Sequence, residues 1–283
     1  MKFKENRALS FLSVTLVYLL AGAGGVGLYL FLPFGWWLNF LLADVFATLV
    51  VYLFSVIFGN ASVYDPYWSV QPMVILAVAA LLHPLNLFGI FLLSVVFFWG
   101  IRLTANWAYT FQNLQWQDWR YTMLREKTGV FYPLVNLFGI HLVPTLIVWL
   151  CVLPAVTAIR EGVSLSVQGV LFLLLSLGAA VMQGVADLQM HRFRKGKTGG
   201  FLRTGLWHYS RHPNYLGEIL TWWGVALAVV CSAPRLWYLS AGALANTLLF
   251  LFISIPMADR RQSRKPGFAE YKAATRMLLP IKK

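Results

Sequence analysis

Apolar residues in this chain gather into stretches about as long as a bilayer is thick, and no other feature limits its possible folds so tightly. A helix rising ~1.5 Å per residue needs ~20 apolar residues to cross the hydrocarbon core. Such stretches lie at about 8 to 32, 36 to 59, 66 to 82, 87 to 105, 135 to 158, 163 to 186, 214 to 232 and 236 to 256. In lipid the backbone must satisfy its own N–H and C=O groups, which helices do within one segment. The expected fold is all-α, a polytopic transmembrane helical bundle of about eight spans forming one integral membrane domain over residues 1–283. With 59% hydrophobic and 12% charged residues, the chain also has too little charged surface for a soluble enzyme, a disordered chain or a secreted scaffold. Cys151 and Cys231 both lie in apolar runs and read as packed thiols.

Basic residues test the span count. Eight spans with a cytoplasmic N-terminus put 21 of the 23 lysines and arginines on the cytoplasmic side and leave only Arg160 and Arg235 opposite. Removing any one interior span would scatter that bias, so both termini are expected in the cytoplasm. The net charge of +13 is then an orientation signal rather than a nucleic-acid footprint. Ala21-Gly22-Ala23 offers a signal-peptidase-like site, but the apolar run continues to Leu32, so the first span is expected to be retained.

Gly22-Ala23-Gly24-Gly25-Val26-Gly27 matches G-x-G-x-x-G, with Asp44 following at about the spacing of a ribose-binding acid. That fingerprint has meaning only between a strand and a helix, and here it sits inside an apolar run. Small residues on a membrane helix instead predict close approach of a neighbouring backbone. Asp44 itself is charged and lies within a span, so it pairs with a base, stays protonated in a structural hydrogen bond, or serves function.

Polar residues gather in two connections. Trp107 to Tyr132 mixes aromatics with charge and reads as a helix at headgroup level. The loop 187 to 213 holds Arg192, Arg194, Lys195, Lys197, Arg203 and Arg211, with Gly199, Gly200 and Gly205 to permit tight turns. A pyrophosphate or 2′-phosphate would suit those cations; so would anionic lipid headgroups. Pro213 suits a helix start, after which Asn214, Gly217, Glu218 and Thr221 form one polar stripe on an apolar span. Glu218, one turn into lipid, is a functional candidate by default, and Asp187 closes the preceding span. His208 and His212 with Glu218 and His191 are bracketed by Gly205 and Pro213, without the His-Glu-x-x-His order, so no metal site is expected. Ser210 lacks a G-x-S-x-G setting for a hydrolase.

The run Leu202-Arg203-Thr204-Gly205-Leu206-Trp207-His208-Tyr209-Ser210-Arg211-His212-Pro213-Asn214-Tyr215-Leu216-Gly217-Glu218-Ile219-Leu220, followed by Trp222-Trp223-Gly224, resembles the C-terminal region of the steroid 5-alpha-reductase family. The likeness extends to Asp187, to Arg194-Lys195, to Gly267-Phe268-Ala269-Glu270-Tyr271 and to Leu279-Pro280, so that 187–283 resembles a cofactor-binding region. Val63-Tyr64-Asp65-Pro66-Tyr67-Trp68-Ser69-Val70 is similar to that family's bacterial membrane relatives, and the bacterial inner membrane is the location this implies.

The resemblance implies an NADPH-dependent reductase of a carbon–carbon double bond conjugated to a ketone, acting on a lipophilic small molecule within the membrane, with membrane lipids as its surroundings and no nucleic-acid partner. Position by position, Asp187, Arg194, Asn214 and Glu218 match residues that hold the cofactor, and Tyr209 lies in the matching Tyr-Ser stretch. Arg203 matches the bacterial relatives, and Arg211 joins the same cationic set. Arg260 and Arg264 stand where the eukaryotic pattern has histidine and tyrosine. An acid and a tyrosine of the N-terminal half face the ketone in that family; Asp65 and Tyr67, with Tyr64 and Gln71, are the stand-ins here, although Asp65-Pro66 equally fits a turn at the membrane surface. Two other readings stay open. Isoprenylcysteine-type carboxyl methyltransferases, which use S-adenosylmethionine, share Arg211-His212-Pro213, Tyr215 and Gly217, but carry paired glutamates where this chain has Asp259 before Arg260 and Arg261. A non-enzymatic lipid-binding protein would account for the basic loops but not for the polar stripe.

Overall fold

The computed structural model describes residues 2–196 and 200–279. Lys197, Gly199, Pro280 and the closing lysines, all named above, lie outside the described residues. Among the described residues there is no strand, and eight helical segments are long and apolar enough to cross a membrane. The protein is therefore an integral, multi-pass membrane protein.

The helices are α1 (Arg7–Phe31), α2 (Trp36–Phe58), α3 (Tyr67–Leu82), α4 (Leu87–Thr110), α5 (Trp119–Thr128), α6 (Val143–Arg160), α7 (Val167–Lys195), α8 (Leu206–Tyr209), α9 (Pro213–Ser232), α10 (Ala241–Leu249), α11 (Ile255–Gln262) and α12 (Phe268–Ala274). A π-helical segment, Val135–Leu142, leads into α6, and another, Phe250–Ser254, joins α10 to α11. Local chemistry marks many of the ends. Asn6 and Ser166 accept the backbone N–H groups of Leu9 and Gly169, which caps α1 and α7. Gly59 closes α2 at φ +63°, a left-handed conformation that side chains rarely tolerate. Pro213 occupies the first turn of α9, as its fixed φ and missing N–H allow.

The span boundaries follow the apolar runs closely except at one end. The loop expected from residue 187 begins as helix: α7 runs to Lys195, nine residues beyond the apolar stretch. No glycine or proline interrupts Asp187–Lys195, and Arg192, Arg194 and Lys195 in the last turn suit the negative end of the helix dipole. Asp187, His191 and Arg194 therefore sit on a rigid element. Of the connection 107–132, the first residues continue α4 to Thr110, and α5 supplies a ten-residue helix capped by Asp118.

The chain divides into two compact units, residues 1–84 with 100–156, and residues 85–99 with 157–283. In the first, α1 packs along α2. The 3-10 turn Ala61–Tyr64 is tied to the connection after α4: Asn60 donates to the carbonyls of Leu114 and Trp116, and Ser62 accepts the Asp118 N–H. The second unit is organised on the long contact between α7 and α9. A Cβ at Gly217 would stand 2.8 Å from the Ala179 carbonyl, and one at Gly224 2.7 Å from that of Phe172. The two glycines, two turns apart, let the backbones meet, as small residues do between membrane helices.

Candidate functional site

Two clusters of buried polar residues stand out, one in each unit. In the first, α1, α2 and α3 line a half-open cavity of about 70 Å³, several times the ~10–15 Å³ needed to hold a water. Its wall is mostly apolar, with contributions from Gly22, Gly25, Ala43, Ala47, Val70 and Ile75. The glycines of the false nucleotide motif shape it. A Cβ at Gly25 would lie 3.1 Å from the Ala43 carbonyl, where the helices touch, whereas one at Gly22 would meet nothing within 4 Å. Close approach and open space thus alternate along one face of α1.

Polar groups line the same cavity: Asp44, Tyr67, Gln71 and Tyr18. Tyr67 and Gln71 are four residues apart on α3, so both reach one carboxylate. The Tyr67 hydroxyl donates to Asp44 Oδ1 at 2.7 Å and Gln71 Nε2 donates to Oδ2 at 2.5 Å. Gln71 Oε1 is buried without a hydrogen-bond partner. Unmet buried acceptors are uncommon and costly, by ~1–3 kcal/mol. An acid and a phenol at the wall of an apolar cavity can hold the oxygen of a lipophilic carbonyl compound. Asp65 is placed elsewhere: it accepts the Tyr121 hydroxyl at 2.6 Å and does not line the cavity.

In the second unit the polar stripe of α9 faces α7. Ser176 donates to the Thr221 carbonyl, and the Thr221 hydroxyl to that of Gly217. Glu218 accepts the indole N–H of Trp222 on Oε1, and on Oε2 both the indole N–H of Trp99 and the amide of Gln183, at 2.8–2.9 Å. Asn214 Oδ1 and Gln183 Oε1 are buried without hydrogen-bond partners in this same region of α7 and α9.

Above this seam the 200–213 segment is bound to the C-terminal segment. Gln189 accepts the Leu206 N–H, and Gly205 takes φ +64° beneath it, where a Cβ would stand 2.6 Å from the Gln189 amide. Arg211 is buried; its guanidinium donates to Asp259 Oδ2 at 3.0 Å and to the Thr275 carbonyl at 2.6 Å, and its backbone N–H to Arg276. His212 Nε2 meets Asp259 Oδ1 at 3.0 Å. The Tyr271 hydroxyl donates to the Trp207 carbonyl, and burial pushes that phenol up to about 12. Arg211 therefore acts as a clamp on residues 259–276. The exposed cations differ from it. Arg194, Arg203, Arg260 and Arg264 are exposed, as is Tyr209. Lys265 donates to the Gly200 carbonyl, and burial together with the charges of Arg261 and Arg194 holds its ammonium below the usual lysine range. The charges of Arg194 and Arg261 thus both act on Lys265.

The model of the family described as "Protein of unknown function (DUF1295)" matches residues 51–275. The chain belongs to that family. DUF1295 is related to steroid 5-alpha-reductase-like membrane proteins. No curated protein and no solved structure matches the chain. The DUF1295 match contains Tyr67, Gln71, Arg194, Arg211, Glu218 and Asp259, whereas Asp44 lies before its first residue.

The residues singled out in the sequence fall into three groups. Asn214 and Glu218 share the seam of α9; Arg194 belongs to a cationic group with Arg261 and Lys265; Arg211 is consumed by the clamp. Asp187 is half-buried on α7, and Arg203 lies over the Phe201 ring, 5.9 Å from its centroid. Two buried pairs were not apparent in the sequence. Asp44 and Tyr67 are 23 residues apart, and Asp259 is 48 from Arg211. The available signal was scarcity: with only ten acids in 283 residues, each acid inside an apolar run is there at a cost.

Proposed function

We propose that this DUF1295 protein is a membrane-embedded, NADPH-dependent reductase of a conjugated carbon–carbon double bond in a lipophilic enone. The observation that carries this reading is the acid–phenol pair Asp44–Tyr67 at the wall of an apolar cavity between membrane helices. Reduction of an enone builds negative charge on the ketone oxygen, and a phenol held in a dry site is suited to meet it. Asp44 accepts the single Tyr67 O–H, which would turn to the ketone oxygen when substrate binds, and Gln71 holds the other carboxylate oxygen in place. In this reading Tyr67 meets the ketone, with Asp44 as its acid in place of Asp65.

The second unit supplies groups that fit NADPH. Arg194, Arg261 and Lys265 offer a cluster of positive charge for its phosphates, with Arg203, Arg260 and Arg264 as further exposed cations. Asn214 Oδ1 and Gln183 Oε1 are buried acceptors suited to an amide N–H, and Glu218 keeps Gln183 in position. When bound, NADPH would supply the hydride that reduces the double bond. S-adenosylmethionine carries no phosphate and gives such a cationic cluster much less to bind. The clamp at Asp259 also occupies the position where methyltransferases of the isoprenylcysteine type carry paired glutamates, and its carboxylate is taken by Arg211 and His212.

The test is direct. Protein in lipid nanodiscs should oxidise NADPH when given a lipophilic enone, with one saturated ketone formed per nucleotide consumed, and Tyr67→Phe should abolish turnover while leaving nucleotide binding intact. Methyl transfer from S-adenosylmethionine, with no NADPH oxidation by any enone, would overturn the reading. We read the charge bias as an orientation with both termini in the cytoplasm, so cysteine labels applied from the opposite side should reach positions beside Arg160 and Arg235 but not beside Lys265.

A further inference from the structure

Two helical stripes give the cavity of the first unit its length. On α1 the lining includes Tyr18, Gly22, Gly25 and Tyr29, whose spacing by four, three and four residues puts them in one row. On α3 it runs through Tyr67, Gln71, Val74 and Val78 with the same spacing. Each row covers three turns, roughly 16 Å at ~1.5 Å per residue. The volume sets the width. At ~10–15 Å³ of space for each water-sized group, about 70 Å³ holds roughly five to seven of them. Groups about 2.8 Å across, twice the 1.4 Å probe radius, cover ~16 Å when roughly six stand in line. The two counts agree, so the cavity is a slot one group wide along its length.

The slot differs at its two ends. Asp44, Tyr67 and Gln71 are joined by hydrogen bonds at one, where the Tyr18 and Tyr67 rings meet edge to face with centroids 6.0 Å apart. Toward the other the wall is Val26, Val74, Ile75 and Val78, and the Tyr29 and Phe40 rings stack there with centroids 4.1 Å apart. One side is open. α1 packs along α2 but meets α3 only sparingly. Val26, Val74 and Val78 are half-buried and belong to segments that can span a membrane, so the opening faces hydrocarbon. A ligand reaches this slot from lipid rather than from water.

We infer that the slot takes a lipophile built on a single straight hydrocarbon chain, with its carbonyl end at Asp44 and Tyr67 and its tail running past Gly22 toward Tyr29 and Val78. This names the substrate class of the same site and rests on the reductase reading for the enone; the fit of the chain is measurable without turnover. A fused ring system is more than one carbon wide along its whole length and would have to part α1 from α3. A straight chain fills a slot one group wide without moving either helix.

The experiment applies a straight-chain α,β-unsaturated ketone, with a diazirine near the end of its tail, to the full-length protein in lipid nanodiscs and maps the cross-linked peptides by mass spectrometry. Labels should fall on α1 and α3 near Tyr29 and Val78. An unlabelled straight-chain enone should suppress them at a concentration about tenfold or more below that of a fused-ring enone, because forcing bulk between packed helices costs free energy. Gly22→Leu, which puts a side chain across the slot, should cut labelling by about tenfold or more. Gly27→Leu lies on the same helix outside the lining, with equal room for a Cβ, and should leave labelling unchanged. Val78→Phe, a second obstruction at the far end, should move the label off Tyr29. Equal competition by the two enones, or labelling indifferent to both Gly22→Leu and Val78→Phe, overturns the inference. So does equal labelling by a phosphatidylcholine that carries the same diazirine chain, which would make the slot a seat for bilayer lipid. NADPH oxidation, followed with both enones on the same samples, reports on the reductase reading separately: none with either counts against that reading and leaves the labelling result standing. Turnover of the fused-ring enone alone overturns the straight-chain inference and leaves the reductase reading intact.

Discussion

Asp44 and Glu218 are both acids buried in membrane-spanning helices, 4% and 2% exposed, yet their surroundings differ in kind. Glu218 sits in a seam where two glycines bring α7 and α9 into backbone contact, and three N–H groups on separate residues close on its two oxygens. Asp44 is held by a phenol and an amide from a single neighbouring helix, and both it and they face open space. An acid enclosed by donors from several elements holds a structure together and positions its neighbours. We propose that an acid beside a cavity, with a partner that has its own proton to give, serves chemistry.

Substitutions can break this contrast or sharpen it. The largest effect is expected for Gly224→Ala, whose methyl group would lie 2.7 Å from the Phe172 carbonyl and 2.8 Å from the Ser176 N–H nitrogen. Backbone cannot retreat cheaply, so a loss of about 3 kcal/mol is expected in thermal or denaturant unfolding. Gly22→Ala, at the cavity, should be nearly silent in the same assay, since nothing lies within 4 Å.

Glu218→Gln comes next. A glutamine offers one acceptor oxygen and one NH2 group, so at least one of the Trp99, Trp222 and Gln183 donors must then face another donor. We expect a loss of about 2 kcal/mol of stability, the cost of a buried unsatisfied group. Arg194→Ala should leave the apo protein as stable as wild type but weaken stabilisation by NADPH by about 1.5 to 3 kcal/mol, the range for a hydrogen bond to a charged group.

Asp44→Asn should have the smallest effect on stability, under about 1 kcal/mol, because Tyr67 still finds an acceptor and the new NH2 group can donate to the unpartnered Gln71 Oε1. Its cost should appear in enone reduction instead. A large loss of stability in Asp44→Asn with none in Glu218→Gln would reverse the assignment of the two acids.

The spans were legible in the sequence because each is a predominantly apolar run near bilayer length, and Pro213 marked the start of α9 correctly. The extension of α7 to Lys195 was not, since hydropathy falls at Asp187 while helix propensity does not. Glu218 was visible as an acid in lipid, but its donors were hidden: Trp99 reads as one more apolar residue, and its indole N–H becomes relevant only when folding brings it 2.8 Å from a carboxylate 119 residues away. The Asp44–Tyr67 pair escaped for the same reason. Asp65, two residues from Tyr67 in sequence, drew attention that the fold gives to Asp44, because a helix places Gln71 rather than Asp65 on the Tyr67 face. Arg211 read as one cation among six, and only its contacts with Asp259 and Thr275 separate it from those left exposed.

Thermal unfolding of the wild-type protein in lipid nanodiscs, with NADPH and S-adenosylmethionine titrated in parallel, tests the reductase assignment most directly. A ligand that binds the folded state alone at about 100 times its Kd adds about 2.7 kcal/mol. We expect the melting temperature to climb with NADPH concentration and to stay level with S-adenosylmethionine. A rise with S-adenosylmethionine and none with NADPH would contradict the assignment.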